Sequence, residues 1–312
     1  MLVERAQKIT IKCNFSIWEV KMRIGVELAI KTPILQLVEY LKDYDSYGFD
    51  RVWVPDSSIS EWEVWTTAAL ASHLVKNSRI GVGVMAPYHR NPATIAHAAA
   101  TLDQLSNGRI DLTLGRGSRP YLKSIDADRP DEAVEESITL INELLTGEKV
   151  SMKGSAFTFS EVSQRVTKKQ DSIPIYIASM SEYWHEIASR TANGLHVYST
   201  NEKLLTTTSN IAKESTNKPF NIITTLGYVE PKEVREWWVN NFGKHYNLQK
   251  LSGREPGEAS ISQLESELTF TNSNELKIHL AKMKSYGIEE LMIAYRRPED
   301  LPIIANIVEQ SR

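Results

Sequence analysis

Eight short apolar segments recur along the chain, and each is followed by a longer segment with helical periodicity. These strand-like segments are residues 23–29, 51–54, 80–84, 110–114, 173–178, 195–198, 221–228 and 290–294. Most are apolar and rich in β-branched residues, as is typical of strands buried on both faces. Regular alternation of strand and helix favours a parallel sheet with right-handed crossovers. Eight such units predict an α/β fold, a closed (β/α)8 barrel.

A doubly wound open sheet is the competing architecture. It usually carries a GxGxxG fingerprint after the first strand, and the segment Gly25–Leu28 does not supply one. Two segments stand outside the alternation of strands and helices. Residues 148–172 contain a possible hairpin and are interpreted as an insertion or a lid, and residues 249–272 as a second insertion.

Residues 79–120 carry the clearest boundary signals. Asn91 and Pro92 predict the start of a helix, because Asn is a good N-cap and Pro is tolerated in the first turn. Asn107 and Gly108 predict its end. The glycines of the preceding strand, Gly81 and Gly83, indicate a bulge or a ligand lying close to the backbone.

Composition narrows the classes of function. The net charge is −3, so the chain has no bulk attraction to nucleic acid or to an anionic membrane. Cys13 is the only cysteine, which excludes an internal disulfide framework and a cysteine-based zinc site and fits a reducing cytoplasm. No apolar run reaches ~18 residues, so no membrane span is predicted.

Residues 1–21 have charges throughout and lack the apolar core of a secretory signal. Two interpretations remain open: an extension upstream of a true start at Met22, or a short N-terminal arm. In both, residues 22–312 form a single domain.

In a (β/α)8 barrel the active site lies at the carboxyl ends of the strands. Glu27 interrupts the first apolar strand, where an ionised carboxylate is expensive unless it is paired or protonated. It is either a proton donor in the barrel mouth or a structural partner of Arg or Lys. Asp56 directly follows the second strand, where it either binds a ligand or caps the turn.

Backbone amides at two other strand exits offer places for a phosphate or a flat ring. Gly115-Arg116-Gly117 follows the fourth strand, and Ser179-Met180-Ser181 opens the helix after the fifth. The alternative for Ser181 is plain helix capping. Neither a metal-ligand cluster nor a GxSxG elbow is present, so no metal is assigned.

The stretch from Gly81 to Gly117, GVGVMAPYHRNPATIAHAAATLDQLSNGRIDLTLGRG, resembles the luciferase-like flavin and deazaflavin oxidoreductases. Within that superfamily it is most similar to coenzyme F420-dependent methylenetetrahydromethanopterin reductases, whose strand reads GxGVxxPYxRxP before a helix ending TLDELSGGR. MRIGVE at Met22–Glu27 and YGFDRVWVPD at Tyr47–Asp56 extend the resemblance. The likeness covers most of residues 22–198.

This resemblance implies a luciferase-like barrel that holds a deazaflavin or FMN, with a non-prolyl cis peptide at Gly83–Val84. It also implies that Glu27 is the catalytic proton donor and that hydride passes from reduced F420 to a methylene-tetrahydropterin. The cofactor is predicted to contact Asp56, Gly83, Val84, Gly115, Gly117, Ser179, Met180 and Ser181.

Two alternatives stay open beside the reductase. The relatives' Gly-rich motif is replaced here by Ala178-Ser179-Met180-Ser181, which bears on the choice of cofactor. An FMN-dependent monooxygenase of the same fold is the first alternative, and a barrel that binds cofactor without turnover is the second. Since the family often dimerises through its barrel helices, a homodimer or higher homo-oligomer is expected.

Overall fold

The computed structural model describes residues 22–28, 32–56, 62–117, 119–127, 129–179, 181–215, 219–230, 232–240, 253, 255 and 259–312. The predictions for residues 1–21, Ala29 and Met180 lie outside the described residues. No described helix is both long enough and apolar enough to cross a bilayer.

The strands confirm the predicted barrel. They are β1 Arg23–Glu27, β2 Arg51–Val54, β3 Arg79–Met85, β4 Ile110–Gly115, β5 Val150–Lys153, β6 Thr158–Val162, β7 Ile175–Ala178, β8 Gly194–Val197, β9 Asn221–Tyr228, β10 Thr269–Phe270 and β11 Glu290–Ala294. Among the described residues, eight of them pair in parallel in the order β1-β2-β3-β4-β7-β8-β9-β11. β11 also pairs with β1, with Arg23 opposite Glu290, so the sheet closes on itself.

Helices surround this barrel. They are α1 Ile34–Asp43, α2 Val64–Leu74, α3 Pro92–Leu105, α4 Arg119–Ser124, α5 Glu132–Leu144, α6 Glu182–Thr191, α7 Glu202–Glu214, α8 Lys232–Trp238, α9 Ile261–Leu268, α10 Ser273–Ser285 and α11 Leu301–Ser311. Of these, α4 was not predicted, because its segment is short and directly follows a Gly-rich loop. A 3₁₀ turn at Pro298–Asp300 directly precedes α11.

The boundaries of α3 are confirmed. The Asn91 side chain accepts a hydrogen bond from the Ala93 amide at 2.9 Å, and Pro92 is the first helical residue. Asn107 and Gly108 both have positive φ, 60° and 82°, which ends the helix.

Alternation along the strands divides the core into two layers. In β1, Ile24 and Val26 are fully buried in the large cluster between strands and helices. A second, smaller cluster fills the barrel interior and consists of Trp53, Tyr176, Ile223 and Met292. A Cβ atom on Gly81 would lie 2.2 Å from the Trp53 ring, so the indole occupies the space that a larger residue at position 81 would need.

Charged side chains fill the amino-terminal end of the barrel, and we call them the basal ion cluster: Arg23, Arg51, Arg79, Asp111 and Glu290. Asp111, fully buried, contacts the guanidinium groups of Arg51 at 2.8 Å and Arg79 at 2.6 Å. Glu290 pairs with Arg51 and, at 3.2 Å, with Arg23. Each buried charge therefore has an opposite charge beside it, as burial in a protein interior requires.

The segment 148–172 contains the predicted hairpin, formed by the antiparallel strands β5 and β6. Of the two interpretations of this segment, an insertion or a lid, its contacts favour an insertion. Its turn binds α5, where the Glu136 carboxylate accepts hydrogen bonds from the Ser155 and Phe157 amides at 2.7 and 3.0 Å. Gln170 donates to the Ile110 carbonyl at 2.7 Å, at the start of β4, so the end of the segment lies at the amino-terminal end of the barrel, opposite the mouth.

The described part of residues 249–272 includes α9 and the two-residue strand β10. Ser260 and Gln263 form a reciprocal capping box at the start of α9. β10 pairs with the end of β9, at Gly227 and Tyr228. This second insertion therefore extends the barrel wall at its carboxyl end.

Candidate active site

Glu27 ends β1 and lies partly buried in the barrel mouth. Burial raises the pKa of its carboxyl group to about 7, because an ionised carboxylate loses hydration there. No described Lys, Arg or His lies within ion-pair distance of this carboxyl group, so the structural-partner interpretation is not supported. A carboxyl group that keeps its proton close to neutral pH suits a general acid.

An aromatic and polar stack lies on the β8 side of the mouth, with Tyr198, His196 and Thr225 as its members. The rings of Tyr198 and His196 stack with centroids 5.1 Å apart and an interplanar angle of 10°. His196 Nε2 lies 2.6 Å from the Thr225 hydroxyl group. Burial, and then the nearby Glu27 carboxylate, raise the pKa of the Tyr198 phenol, which places Tyr198 close to Glu27. Burial also lowers the pKa of His196 to about 3, so its imidazole is neutral.

The backbone of β3 bulges beside β4, where the register between the two strands shifts between Val82 and Met85. The peptide bond between Gly83 and Val84 is cis, which confirms that expectation. A Cβ atom on Gly83 would lie 2.2 Å from the Thr113 carbonyl oxygen, and one on Gly115 would lie 2.6 Å from Val84 Cγ1. The two glycines therefore let two strand backbones approach closely. Whether Gly83, Val84 and Gly115 contact a cofactor stays a prediction.

Several buried polar atoms of the described barrel interior have no hydrogen-bond partner, and they include Thr113 Oγ1, Trp53 Nε1 and His196 Nδ1. Thr113 is fully buried, and Trp53 is 1% exposed. Since buried polar groups are nearly always hydrogen-bonded, such atoms indicate room for water or for the polar edge of a ligand. This arrangement fits a flat heterocycle with hydrogen-bonding atoms on its rim.

Asp56 follows β2, where its carboxylate pairs with Arg90 at 2.9 Å. Arg90 also contacts Glu63 at 3.2 Å. Burial raises the pKa of Asp56 to about 6, and Arg90 opposes that rise. Glu63 caps α2 and accepts from the Thr66 amide at 2.9 Å. Residues 57–61, which contain the turn that Asp56 was predicted to cap, lie outside the described residues, so that alternative stays open. Cofactor binding by Asp56 stays a prediction.

The loops after β4 and β7, at Gly117 and at residues 179–181, differ in which backbone amides are available to a ligand. Gly117 has a φ of 67° and lies where a Cβ would meet Ala86 at 2.6 Å, which favours glycine there. The Ser179 amide donates to the His196 carbonyl at 3.2 Å, and the Ser181 amide donates to the Ser179 hydroxyl at 3.1 Å. A phosphate at this exit would therefore bind the next amides, at the start of α6. Ser181 is the N-cap residue of α6, but its side chain makes no capping hydrogen bond.

Neither His196 nor Trp53 is among the site residues that were predicted from the sequence. His196 and Trp53 both face the barrel interior. Because side chains alternate along a strand, one known inward-facing residue on each strand would have predicted this orientation. Trp53 shares its face of β2 with Arg51, whose guanidinium carbon lies 5.2 Å from the Trp53 ring centroid. Among the described residues, no group of three or more His, Cys, Asp or Glu side chains is placed to hold a metal ion.

Comparison with known proteins extends this description. The family model described as luciferase-like monooxygenase matches residues 17–214. A 5,10-methylenetetrahydromethanopterin reductase from Methanolobus tindarius is 29% identical over 184 residues, which cover 58% of this chain and 56% of the relative. An F420-dependent glucose-6-phosphate dehydrogenase from Amycolatopsis mediterranei is 32% identical over 51% of each chain. The chain therefore spans about half the length of these curated relatives.

A monooxygenase and a solved structure complete the comparison. The 4-hydroxyprotoasukamycin monooxygenase of Streptomyces nodosus subsp. asukaensis is 32% identical over 37% of this chain and 32% of its own length. An F420-dependent secondary alcohol dehydrogenase, solved with an F420-acetone adduct, superposes with a TM-score of 0.77 at 19% identity, covering 94% of this chain and 99% of that one. At this identity the superposition shows a shared fold.

Proposed function

Because the chain belongs to the luciferase-like monooxygenase family, we propose that it is an oxidoreductase that uses coenzyme F420. Support for this cofactor comes from the relatives whose names include F420 and from the bulge of β3, where Gly83, Val84 and Gly115 pack closely at the barrel mouth. The unpartnered Thr113 hydroxyl and Trp53 indole NH beneath the mouth fit the polar edge of such a ring.

The proposed reaction is the reduction of a methylene-tetrahydropterin to its methyl form. Opening the methylene bridge requires one proton on a bridge nitrogen and one hydride on the bridge carbon, so the carbon–nitrogen bond breaks and a methyl group forms. The reduced deazaflavin supplies the hydride when it is bound. The observation that carries this proposal is Glu27, a carboxyl group in the mouth with a pKa of about 7.

Each nearby side chain has a defined part in this proposal. Glu27 holds the proton for the substrate nitrogen, while the barrel wall orients the two reactants. The Tyr198 ring, stacked on His196, narrows the mouth beside Glu27 and keeps bulk water from its carboxyl group. The Asp56–Arg90 pair holds the exits of β2 and β3 together next to the bulge.

An FMN-dependent monooxygenase is the second candidate. A monooxygenase is among the relatives, and the exit of β7 lacks the glycines of the reductases' phosphate motif. A monooxygenase does not need a carboxyl group that protonates a pterin nitrogen, so Glu27 favours the reductase.

Spectroscopy of the purified protein distinguishes these candidates. Bound FMN absorbs near ~450 nm and a deazaflavin nearer ~420 nm. If no cofactor copurifies, titration with F420 and with FMN shows which one binds, and an assay with reduced F420 and a methylene-tetrahydropterin tests turnover. Binding of FMN but not of F420 would overturn the proposed cofactor. If F420 binds but the reduced coenzyme is not oxidised, the protein binds the cofactor without catalysing the reaction.

A further inference from the structure

Arg296 and Trp237, which we call the rim pair, lie at the carboxyl end of the barrel outside the site described above. Arg296 follows β11 by two residues, and its guanidinium carbon lies 3.8 Å from the Trp237 ring centroid. Trp237 belongs to α8, and its side chain is 38% exposed. A guanidinium group held over an indole face keeps its N–H groups directed outward at the edge of the ring.

The rim pair lies next to the barrel mouth. Val26 is opposite Ile293 in the β1–β11 ladder, so the following step places Ala294 beside Glu27, and Arg296 lies two residues further on. On the other side, Trp238 packs over Gly227 of β9, where a Cβ would lie 2.8 Å from the indole. α8 therefore brings Trp237 over the edge of the mouth between β9 and β11.

Residues 296–300 carry two cationic and two acidic side chains, and Arg296 is the cation among them that no described carboxylate pairs. Arg297 pairs with Asp300, with its Nε 3.0 Å from the carboxylate, so these two charges offset each other. No described carboxylate lies within ion-pair distance of Arg296. The described group that the Arg296 guanidinium contacts is the Trp237 ring.

This arrangement matches a general property of (β/α)8 barrels. Phosphate sites in such barrels often form from the loops after the seventh and eighth strands and the start of a short extra helix. Here β9 and β11 are the seventh and eighth barrel strands, and the short 3₁₀ turn occupies the place of the extra helix.

We propose that Arg296, held over Trp237, binds an oxyanion, phosphate or carboxylate, that is carried by the substrate. This inference rests on the proposed function, since it adds a substrate class to the same site. The substrate is chosen over the cofactor because β11 lies directly across the ring from β4, whose Gly115 forms part of the predicted cofactor surface. An oxyanion here approaches the mouth without repulsion while Glu27 is protonated.

Binding of inorganic phosphate to the whole protein, followed by ³¹P line broadening, tests this site without cofactor or turnover. We expect wild type to bind phosphate and Arg296→Gln to bind it about tenfold more weakly, because a charge-assisted hydrogen bond is lost. Arg296→Lys keeps the charge and retains part of the binding. The control, Arg190→Gln, removes a surface arginine of α6 that is 61% exposed and pairs with Glu135, and it leaves phosphate binding unchanged.

Two further measurements complete the test. Trp237→Leu removes the aromatic support and weakens phosphate binding while Arg296 remains. The affinity for F420 stays the same in Arg296→Gln if the anion belongs to the substrate, and a fall in that affinity would assign the anion to the cofactor and overturn the proposal. Phosphate binding that is absent in wild type, or equal in wild type and Arg296→Gln, would also overturn it. Because the phosphate measurement needs no reaction, it separates failure of this site from failure of the proposed activity.

Discussion

Glu27 lies in the barrel mouth, where its carboxyl group is removed from much of the solvent. Its position in the apolar run Arg23–Ile30 was enough to single it out from the sequence. The approach of Tyr198 to Glu27 was not predictable in the same way, because these two side chains meet only when the barrel closes. The sequence therefore predicts a site residue where a polar residue interrupts an apolar pattern. It does not predict contacts that form only when the strands close into a barrel.

Glu27→Gln is expected to lower turnover by orders of magnitude and to leave cofactor affinity nearly unchanged. The amide keeps the size of the side chain but has no acidic proton to donate. Turnover rates and F420 titration measure the two effects. Equal turnover in the variant would remove Glu27 from the mechanism.

The Glu27 carboxyl group also makes the free energy of unfolding depend on pH. The pKa of Glu27 is raised from 4.5 to about 7, so the folded state binds this proton more tightly than the unfolded state does. The associated stability is present below pH 4.5 and is lost as the pH rises through about 7, at most about 3 kcal/mol. Urea unfolding at pH 5 and pH 8 should show this loss in wild type. A Glu27→Gln variant with the same loss would contradict it.

Elements meet at the strand exits, where short contacts set the shape of the mouth. The order of strands and helices, the ends of α3 and the bulge at Gly83 were all predictable, because Asn, Pro and Gly mark such points locally. Two features were not predictable from the sequence. Gln170, at the end of the segment 148–172, binds the far end of the barrel, and the guanidinium of Arg90 binds Asp56 and Glu63. Both depend on contacts between elements that lie far apart in the sequence.

Gly83→Ala is expected to weaken cofactor binding by about tenfold or more, because the new Cβ would lie 2.2 Å from the Thr113 carbonyl and push the two strands apart. Gly147→Ala is the matched control. Gly147 also has a positive φ, 85°, but nothing lies within 4 Å of its added Cβ. Both variants should lose stability, whereas only Gly83→Ala should lose F420 affinity in titration. Normal affinity in Gly83→Ala would count against the cofactor surface at this bulge.

Arg90→Gln is expected to lower the free energy of unfolding by about 2 kcal/mol, because it leaves the Asp56 carboxylate, whose side chain is 5% exposed, without its cation. It should also raise the pKa of Asp56 further above 6, since Arg90 now lowers it. A double-mutant cycle with Asp56→Asn measures the coupling between the two side chains. Additive losses in the cycle would show that this pair does not stabilise the exit.

At the scale of the whole molecule, the two ends of the barrel differ in chemistry. The basal ion cluster fills one end with paired charges, whereas the mouth holds Glu27 without a described cation beside it. The fold itself was predictable from the eight repeated strand–helix units. The basal ion cluster was not, because Arg51, Asp111 and Glu290 come from strands whose relative register the sequence pattern does not specify.

Asp111→Asn is expected to lower the free energy of unfolding by about 3 kcal/mol or more, because Arg51 and Arg79 would keep buried charge with less to balance it. The control is Lys149→Gln, which removes an ion pair with Glu161 whose side chains are 68% and 72% exposed. That exposed pair should contribute under about 1 kcal/mol. Chemical denaturation measures both variants, and similar losses in the two would show that the basal ion cluster is not a source of stability.

The pairing of β1 with β11 has a consequence for synthesis of the protein. Arg23 can pair with Glu290 only after nearly the whole domain has left the ribosome. One edge of β1 therefore stays unpaired during most of translation. Open strand edges invite pairing with other chains. Nascent protein truncated before residue 290 should therefore aggregate or remain with chaperones, and ring closure should be a late event in refolding.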